Sequence, residues 1–204
     1  MVTASRKRRH RKAEVAREQG LAAARRLLLK GGPAAVTLVN VGQEVGMGHS
    51  NILHHFGSAT NLQHDLMREM IQDLSTALGE AAVEPASGKP LSRSMVAKTF
   101  KAFGRQGGGL LAAWLVLSNS TDHLNMIDGA IDELKATLLA SGSSQIVEEN
   151  ISSIILVVAL CALGDALIGK YLKTMLDLPA DASETFLSDI LSVILSNDPN
   201  MLNL

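Results

Sequence analysis

Four polar residues in one short segment have side chains suited to binding nucleic acid: His49, Ser50, Asn51 and His54. Their donors and acceptors match the hydrogen-bonding groups of base edges and phosphates. Ile52 and Phe56 alternate with them at helical spacing, so we expect the two apolar residues to face a core and the polar ones to face outward. The pattern favours DNA binding by one face of a short helix.

A second short helix is predicted just before this one. Leu38, Val41 and Val45 recur at helical spacing, and Gly46 follows in a position suited to a left-handed turn, which residues with a Cβ avoid. Thr37 is placed to cap the start of this helix. Two short helices around a tight turn form a helix-turn-helix, whose second helix enters the major groove of DNA.

Charge is divided unevenly along the chain. Residues 1–30 contain ten Lys or Arg and two acids, a net charge of +8, whereas the other 174 residues have a net charge of −9. Because each neutralised phosphate releases condensed counterions, a basic segment beside a recognition helix adds affinity for DNA. We expect residues 1–12 to form an arm that is disordered in the free protein. It either stays solvated or becomes ordered when the protein binds DNA. Its DNA-binding cations are Arg6, Lys7, Arg8, Arg9, Arg11 and Lys12.

The rest of the chain predicts helices, because aromatic residues number only six and alternating apolar runs are few. Leu62, Leu66, Met70, Leu74 and Leu78 recur every fourth residue in a long helix that Ser58 would cap. Further helices are predicted at about 95–103, 110–117, 145–173 and 182–196. The predicted fold is all-α, with about nine helices. A three-helix helix-turn-helix domain at 13–60 is joined by the long helix to a ligand-binding and dimerisation domain at 61–204.

Several short motifs follow one another between about residues 17 and 66. They are AAARRLLLKGG, Thr37, Val41-Gly42, Gly46-Met47 and HHFGSATNL before a long helix. In this order they resemble the DNA-binding domain of the TetR family of bacterial transcriptional regulators. The resemblance implies a homodimeric repressor that binds a palindromic operator in double-stranded DNA and is released by a small ligand. It also implies phosphate contacts by Thr37 and His54, and base contacts by Gly48, His49, Ser50 and Asn51.

Three positions depart from the pattern of that family. Leu53 stands where a phosphate-binding tyrosine is usual, Ala59 where a lysine is usual, and Gly48 where a capping serine is common. These changes weaken the anchoring of phosphates by the helix-turn-helix. We therefore expect the basic arm to compensate through contacts with the backbone or the flanking minor groove.

The C-terminal part predicts an effector pocket. Because charged residues are few between 95 and 118, we expect a small, mainly apolar effector. The alternative is that the apolar residues predicted for the pocket wall are ordinary core residues. The predicted wall residues are Met95, Phe100, Phe103 and Trp114.

The last two predicted helices carry broad apolar surfaces, which suit a four-helix dimer interface or an internal core. The residues predicted at the dimer interface are Ala159, Ala162, Gly164, Asp165, Phe186, Ile190, Leu191 and Ile194.

A membrane-associated protein with a basic cytoplasmic arm is the alternative interpretation. Residues 151–169 are nearly long enough to span a bilayer, but the carboxylate of Asp165 would be costly there, so we favour no membrane. Cys161 is the only cysteine, and we expect a buried, inert thiol in a cytoplasmic protein.

The sequence does not predict an enzyme. GxSxG, P-loop and dinucleotide fingerprints do not occur, and Ser118, Asp122 and His123 are more typical of helix caps than of a catalytic triad. The adjacent His54 and His55 cannot aim at a single ion from one helix. We therefore expect no metal and no cofactor.

Overall fold

The computed structural model describes residues 2–83, 91–118, 131–132, 135–136, 139 and 145–196, and their secondary structure is helical apart from turns and short connections. The first four helices are α1 (Val2–Gly31), α2 (Leu38–Val45), α3 (His49–Phe56) and α4 (Ala59–Val83). They are followed by α5 (Leu91–Phe103), α6 (Gly108–Leu117), α7 and α8 (Ala182–Ser196). Helix α7 consists of Gln145–Gly164, a π-helical turn at Asp165–Gly169 and Lys170–Met175. The prediction of an all-α fold is confirmed.

The first helix begins earlier than predicted. It starts at Val2, so in this structure the backbone of residues 2–12 continues α1, whereas we predicted a disordered arm and a helix from residue 13. Arg and Lys are good helix formers, and the chain has no glycine before Gly20 and no proline before Pro33. Nothing in the local sequence therefore ends the helix within the basic segment.

The chain divides into two compact units. The head unit comprises Met1–Glu69 and Leu111–His123, and the body unit comprises Met70–Leu110 and Leu124–Leu204. The predicted boundary at residue 60 falls within the head unit, in which the ion pairs Arg17–Asp65 and Arg25–Glu69 join α1 to the first turns of α4.

The head unit has a core of large side chains that are almost completely buried. Helix α1 packs against both α2 and α3, and α2 packs against α3. A Cβ on Gly20 would lie 2.7 Å from the ring of Phe56, so only glycine allows α1 to approach α3 this closely. The most buried side chains are Leu28, Val36, Val41, Ile52, Leu62, Leu66 and Leu111.

The body unit has two smaller apolar clusters. The first joins α5, α7 and α8 through Val96, Phe100, Ala162, Leu187 and Leu191. The second joins α4 and α7 through Leu78 and Ile151, with Leu74, Met95 and Ile155 packed against it. Each cluster uses one side of α7, which leaves the other side of that helix unburied by the body unit.

The unburied side of α7 is an apolar stripe. It consists of Leu156, Val157, Leu160, Leu167, Ile168, Tyr171, Leu172 and Met175, which are all exposed. The prediction of a buried thiol is wrong, because Cys161 lies in this part of the helix and is exposed. The segment Asn150–Met175 is long and apolar enough to cross a membrane. Core helices of soluble proteins meet the same criterion of length and composition.

An ion pair spans the π-helical turn of α7. The ammonium of Lys173 lies 2.7 Å from the carboxylate of Asp165 and also donates a hydrogen bond to the carbonyl of Ala180 at 2.7 Å. A Cβ on Gly169 would come within 2.5 Å of the Asp165 carboxylate, so the glycine leaves the space that this carboxylate fills.

Candidate DNA-binding surface

The two helices of the helix-turn-helix have the predicted start and turn. Thr37 caps α2, because its hydroxyl oxygen accepts a hydrogen bond from the Asn40 N–H at 3.1 Å. Gly46 ends α2 in the left-handed region, with φ 68° and ψ 27°. A Cβ on Gly42 would lie 2.7 Å from the carbonyl oxygen of Met47, so a side chain there would collide with the turn. Both predictions, the cap and the turn, are confirmed.

Helix α3 separates its apolar residues from its polar ones. Ile52 is fully buried and Phe56 is 4% exposed, so they fix the inner face of the helix. The N-cap Gly48 is exposed and supplies no side-chain cap, as its residue type requires. The exposed side chains of α3 are His49, Ser50, Asn51, Leu53 and His54.

The exposed residues of α3 have distinct positions around the helix. At about 100° per residue, Ser50 and His54 lie almost opposite the buried Ile52 and Phe56. Leu53 lies beside them on one flank, and Asn51 lies on the other. The outward face is therefore mixed, with polar side chains at its centre and one apolar side chain at its edge.

An interaction of α1 with α3 and α4 holds the C-terminal end of α3. The guanidinium carbon of Arg17 is 5.3 Å from the centroid of the Phe56 ring, a cation–π geometry. Arg17 also pairs with Asp65 at 2.5 Å, and Asp65 pairs with Arg68 at 3.2 Å. Sequence reasoning missed these positioning residues, since Arg17 and Asp65 are 48 positions apart and no local pattern links them.

Most cations of the helix-turn-helix region already contact carboxylates. Between residues 13 and 69, four of the five Lys and Arg residues form ion pairs, and α2 and α3 contain neither residue type. The pairs are Arg17–Asp65, Arg25–Glu69, Arg26–Glu44 and Arg68–Asp65. The fifth cation, Lys30, is exposed at the end of α1. Much of the positive charge between residues 13 and 69 is therefore already opposed by carboxylates.

Two positions at which the family pattern has phosphate contacts hold residues without a charge, Thr37 and Ala59. Ala59 begins α4, and Ser58 caps that helix, accepting from the Asn61 N–H at 3.0 Å. The hydroxyl of Thr37 accepts the hydrogen bond that caps α2. His54 is exposed, so it is accessible to a phosphate.

The predicted effector residues are divided between the two units. Phe100 lies in the first body cluster, Phe103 packs against that cluster, and Met95 packs against the second. These contacts are the core packing that we gave as the alternative role. Trp114 belongs to the head unit and is 41% exposed.

The predicted interface residues are divided between core and surface. Ala162, on the side of α7 that faces α5 and α8, and Leu191, on α8, both lie in the first body cluster. Phe186 is 63% exposed, whereas Ala159, Gly164, Asp165 and Ile190 are half-buried. The side chain of Ile194 lies outside the described residues. An interface would therefore use the apolar stripe and Phe186 rather than Ala162 and Leu191.

Similar folds occur among solved structures. The multidrug binding protein EbrR complexed with ethidium has a TM-score of 0.61 at 17% identity, covering 88% of this chain and 97% of that one. The superantigen PfiT has a TM-score of 0.55 at 17% identity, covering 90% and 97%. The TetR family transcriptional regulator PfmR from Thermus thermophilus has a TM-score of 0.50 at 18% identity, covering 87% and 97%. At these identities the likeness shows the fold.

Sequence comparison identifies the helix-turn-helix more specifically. No curated protein matches the chain. Residues 21–64, from the middle of α1 to the start of α4, match the model of the bacterial regulatory proteins of the tetR family. The matched segment contains the capped α2, the glycine turn and the whole of α3. The chain therefore contains a helix-turn-helix segment that matches the tetR family of bacterial regulatory proteins.

Proposed function

We propose that the protein is a cytoplasmic transcriptional repressor that binds a palindromic operator as a homodimer and is released by a small molecule. One observation carries the DNA-binding part of this proposal: α3 exposes His49, Ser50 and Asn51 at its start, while Ile52 and Phe56 anchor it in the head core. A rigidly held helix with an exposed polar start suits the major groove. No catalytic step is part of this function.

Two sources of DNA affinity complement each other in this proposal. The start of α3 supplies hydrogen-bonding groups, of which Asn51 can pair with adenine through two hydrogen bonds. The cations of residues 6–12 supply the attraction to phosphates that the paired arginines of the head do not. Base recognition and phosphate affinity are thus assigned to different segments.

Dimerisation would bury the apolar stripe of α7. Leu156 and Leu160 are each 58% exposed, and Phe186 on α8 is 63% exposed. Exposed apolar residues of this kind are typical of a protein–protein contact, and a two-fold contact pairs a surface with itself. Two heads related by such an axis would read half-sites about 34 Å apart or a multiple of that distance.

Release by an effector is supported by the character of the chain and of one similar structure. EbrR is described as a multidrug binding protein, and its structure is a complex with ethidium. In this chain helix α5 of the body unit carries Phe100 and Phe103, and large apolar side chains of this kind suit a mainly apolar ligand. Trp114 is the only tryptophan, so its fluorescence would report a ligand that binds nearby.

The proposal is tested by selecting the operator DNA and by substituting the residues of α3 that we expect to contact its bases. DNA selected from a random pool by the full chain should contain a palindrome. Asn51→Ala and His49→Ala should each lose about 1–3 kcal/mol of discrimination at one base pair per half-site. Gln72→Ala, an exposed polar change on α4, is the matched control. If the Asn51→Ala and His49→Ala variants retain the affinity and selectivity of the parent, α3 does not read the bases.

The length and apolar character of α7 also favour a second candidate function, in which this helix associates with a membrane. The ion pair between Lys173 and Asp165 within the same helix makes a span costly. The two candidates differ in a simple measurement. A repressor should be purified without detergent as a dimer, whereas a membrane protein should sediment with vesicles and require detergent for extraction.

A further inference from the structure

Leu53 is an exposed apolar residue on the otherwise polar outer face of α3. Its side chain is 41% exposed, although its neighbour Ile52 is fully buried. Around the helix Leu53 lies next to Ser50 and His49, the residues that we expect to meet base edges. A side chain in this place would be desolvated when the helix enters the major groove.

The chemistry of α3 limits what it can recognise. The helix contains no Lys or Arg, so it lacks the guanidinium or ammonium that usually reads guanine. Its exposed groups are imidazole, hydroxyl, amide and one isobutyl side chain. Among the base edges of the major groove, only thymine presents an apolar group, the C5 methyl.

We propose that Leu53 is a specificity-determining residue that contacts the C5 methyl group of a thymine in each half-site. This inference rests on the proposed binding of α3 in the major groove and goes beyond it by naming a base. Leu53 cannot donate a hydrogen bond to a phosphate, and in this proposal it contributes to base recognition instead. The recognised DNA therefore carries a C5 methyl group in the major groove at the position that Leu53 faces.

The test removes the methyl group without changing base pairing. In the operator selected by the full chain, each thymine is replaced in turn by deoxyuridine in both half-sites, and affinity is measured by fluorescence anisotropy. At one symmetric position the parent should lose about fourfold per half-site, the effect of one buried methyl group. At that position 5-methylcytosine paired with guanine should bind more tightly than cytosine paired with guanine.

Protein variants assign the effect to Leu53. Leu53→Ala should bind thymine and deoxyuridine operators equally, whereas Leu29→Ala, which changes another exposed leucine of the head unit, should discriminate as the parent does. Leu53→Val, which keeps part of the apolar surface, should give an intermediate ratio.

Two results would overturn the inference alone. One is that the parent binds the operator with unchanged affinity when deoxyuridine replaces thymine at any position. The other is that the Leu53→Ala variant loses as much affinity on that replacement as the parent does. In either case a selected palindrome would still support the proposed function. If the parent selects no DNA at all, both the inference and the proposed function fail.

Discussion

Helix α3 of the head unit and helix α7 of the body unit differ in how far they bury their large apolar residues. In the head, α3 buries Ile52 completely and Phe56 almost completely, and of its large apolar side chains only Leu53 is exposed. In the body, α7 buries Ala162 and exposes larger residues such as Leu160 and Tyr171. A unit that hides its apolar surface within one chain can be stable as a monomer, whereas a unit that exposes such a stripe gains stability by association. The stability of the body should therefore depend on protein concentration, and that of the head should not.

The most disruptive test of this comparison places charge on the body stripe. Leu160→Glu combined with Phe186→Glu should convert a dimer at micromolar concentration into monomers, because two pairs of carboxylates would be buried against apolar surface. Operator affinity should fall at least about a hundredfold, since the second half-site no longer binds intramolecularly. Analytical ultracentrifugation and DNA binding measure the two effects.

The matched control for this variant carries its charge on the head. Leu29 is 55% exposed on α1, so Leu29→Glu should leave both the dimer and the circular dichroism spectrum unchanged. A double glutamate variant that sediments as the parent does would exclude the stripe and Phe186 as the interface.

A smaller effect is expected from emptying the head core. Ile52→Ala should destabilise the head by about 2–5 kcal/mol, because the truncated side chain leaves a cavity under α3. The adjacent and exposed Leu53→Ala should change stability by less than about 0.5 kcal/mol. Urea unfolding of the head at two protein concentrations measures both changes. A midpoint that depends on protein concentration would contradict the prediction that the head is stable without association.

The smallest effect should follow from removing one cation of the basic segment. Arg9→Gln should weaken binding about equally for all DNA sequences and reduce the salt slope by about one for each half-site. Lys101→Gln, which removes an exposed cation of the body, should leave the slope unchanged. A slope that does not respond to Arg9→Gln would show that this cation contacts no phosphate.

Local signals predicted the head well. The Thr37 cap, the left-handed Gly46 and the burial of Ile52 each follow from residue type and spacing, and each is found in the structure. The tertiary contacts that fix α3 could not be predicted in this way. Arg17 meets Phe56 and Asp65 only because the chain folds back, and their separation in sequence carries no periodic signal.

The body was predicted less completely, for a related reason. Hydrophobic periodicity correctly located α8 at 182–196 and most of α7. It could not say which apolar residues face the core, since α7 is apolar around most of its circumference. On α7, Ala162 proved to be a core residue and Cys161 proved to be exposed, and on α8 Leu191 proved to be a core residue.

The π-helical turn at Asp165–Gly169 has a consequence for the straightness of the apolar stripe. Leu156 and Met175 are nineteen residues apart, and in a uniform α-helix they would differ by about 100° around the axis. A π turn takes up one residue more than an α turn, which sets the following residues back by about the same angle. The turn thus acts as a phase correction that brings the two ends of α7 onto one line, so that a straight partner could contact both.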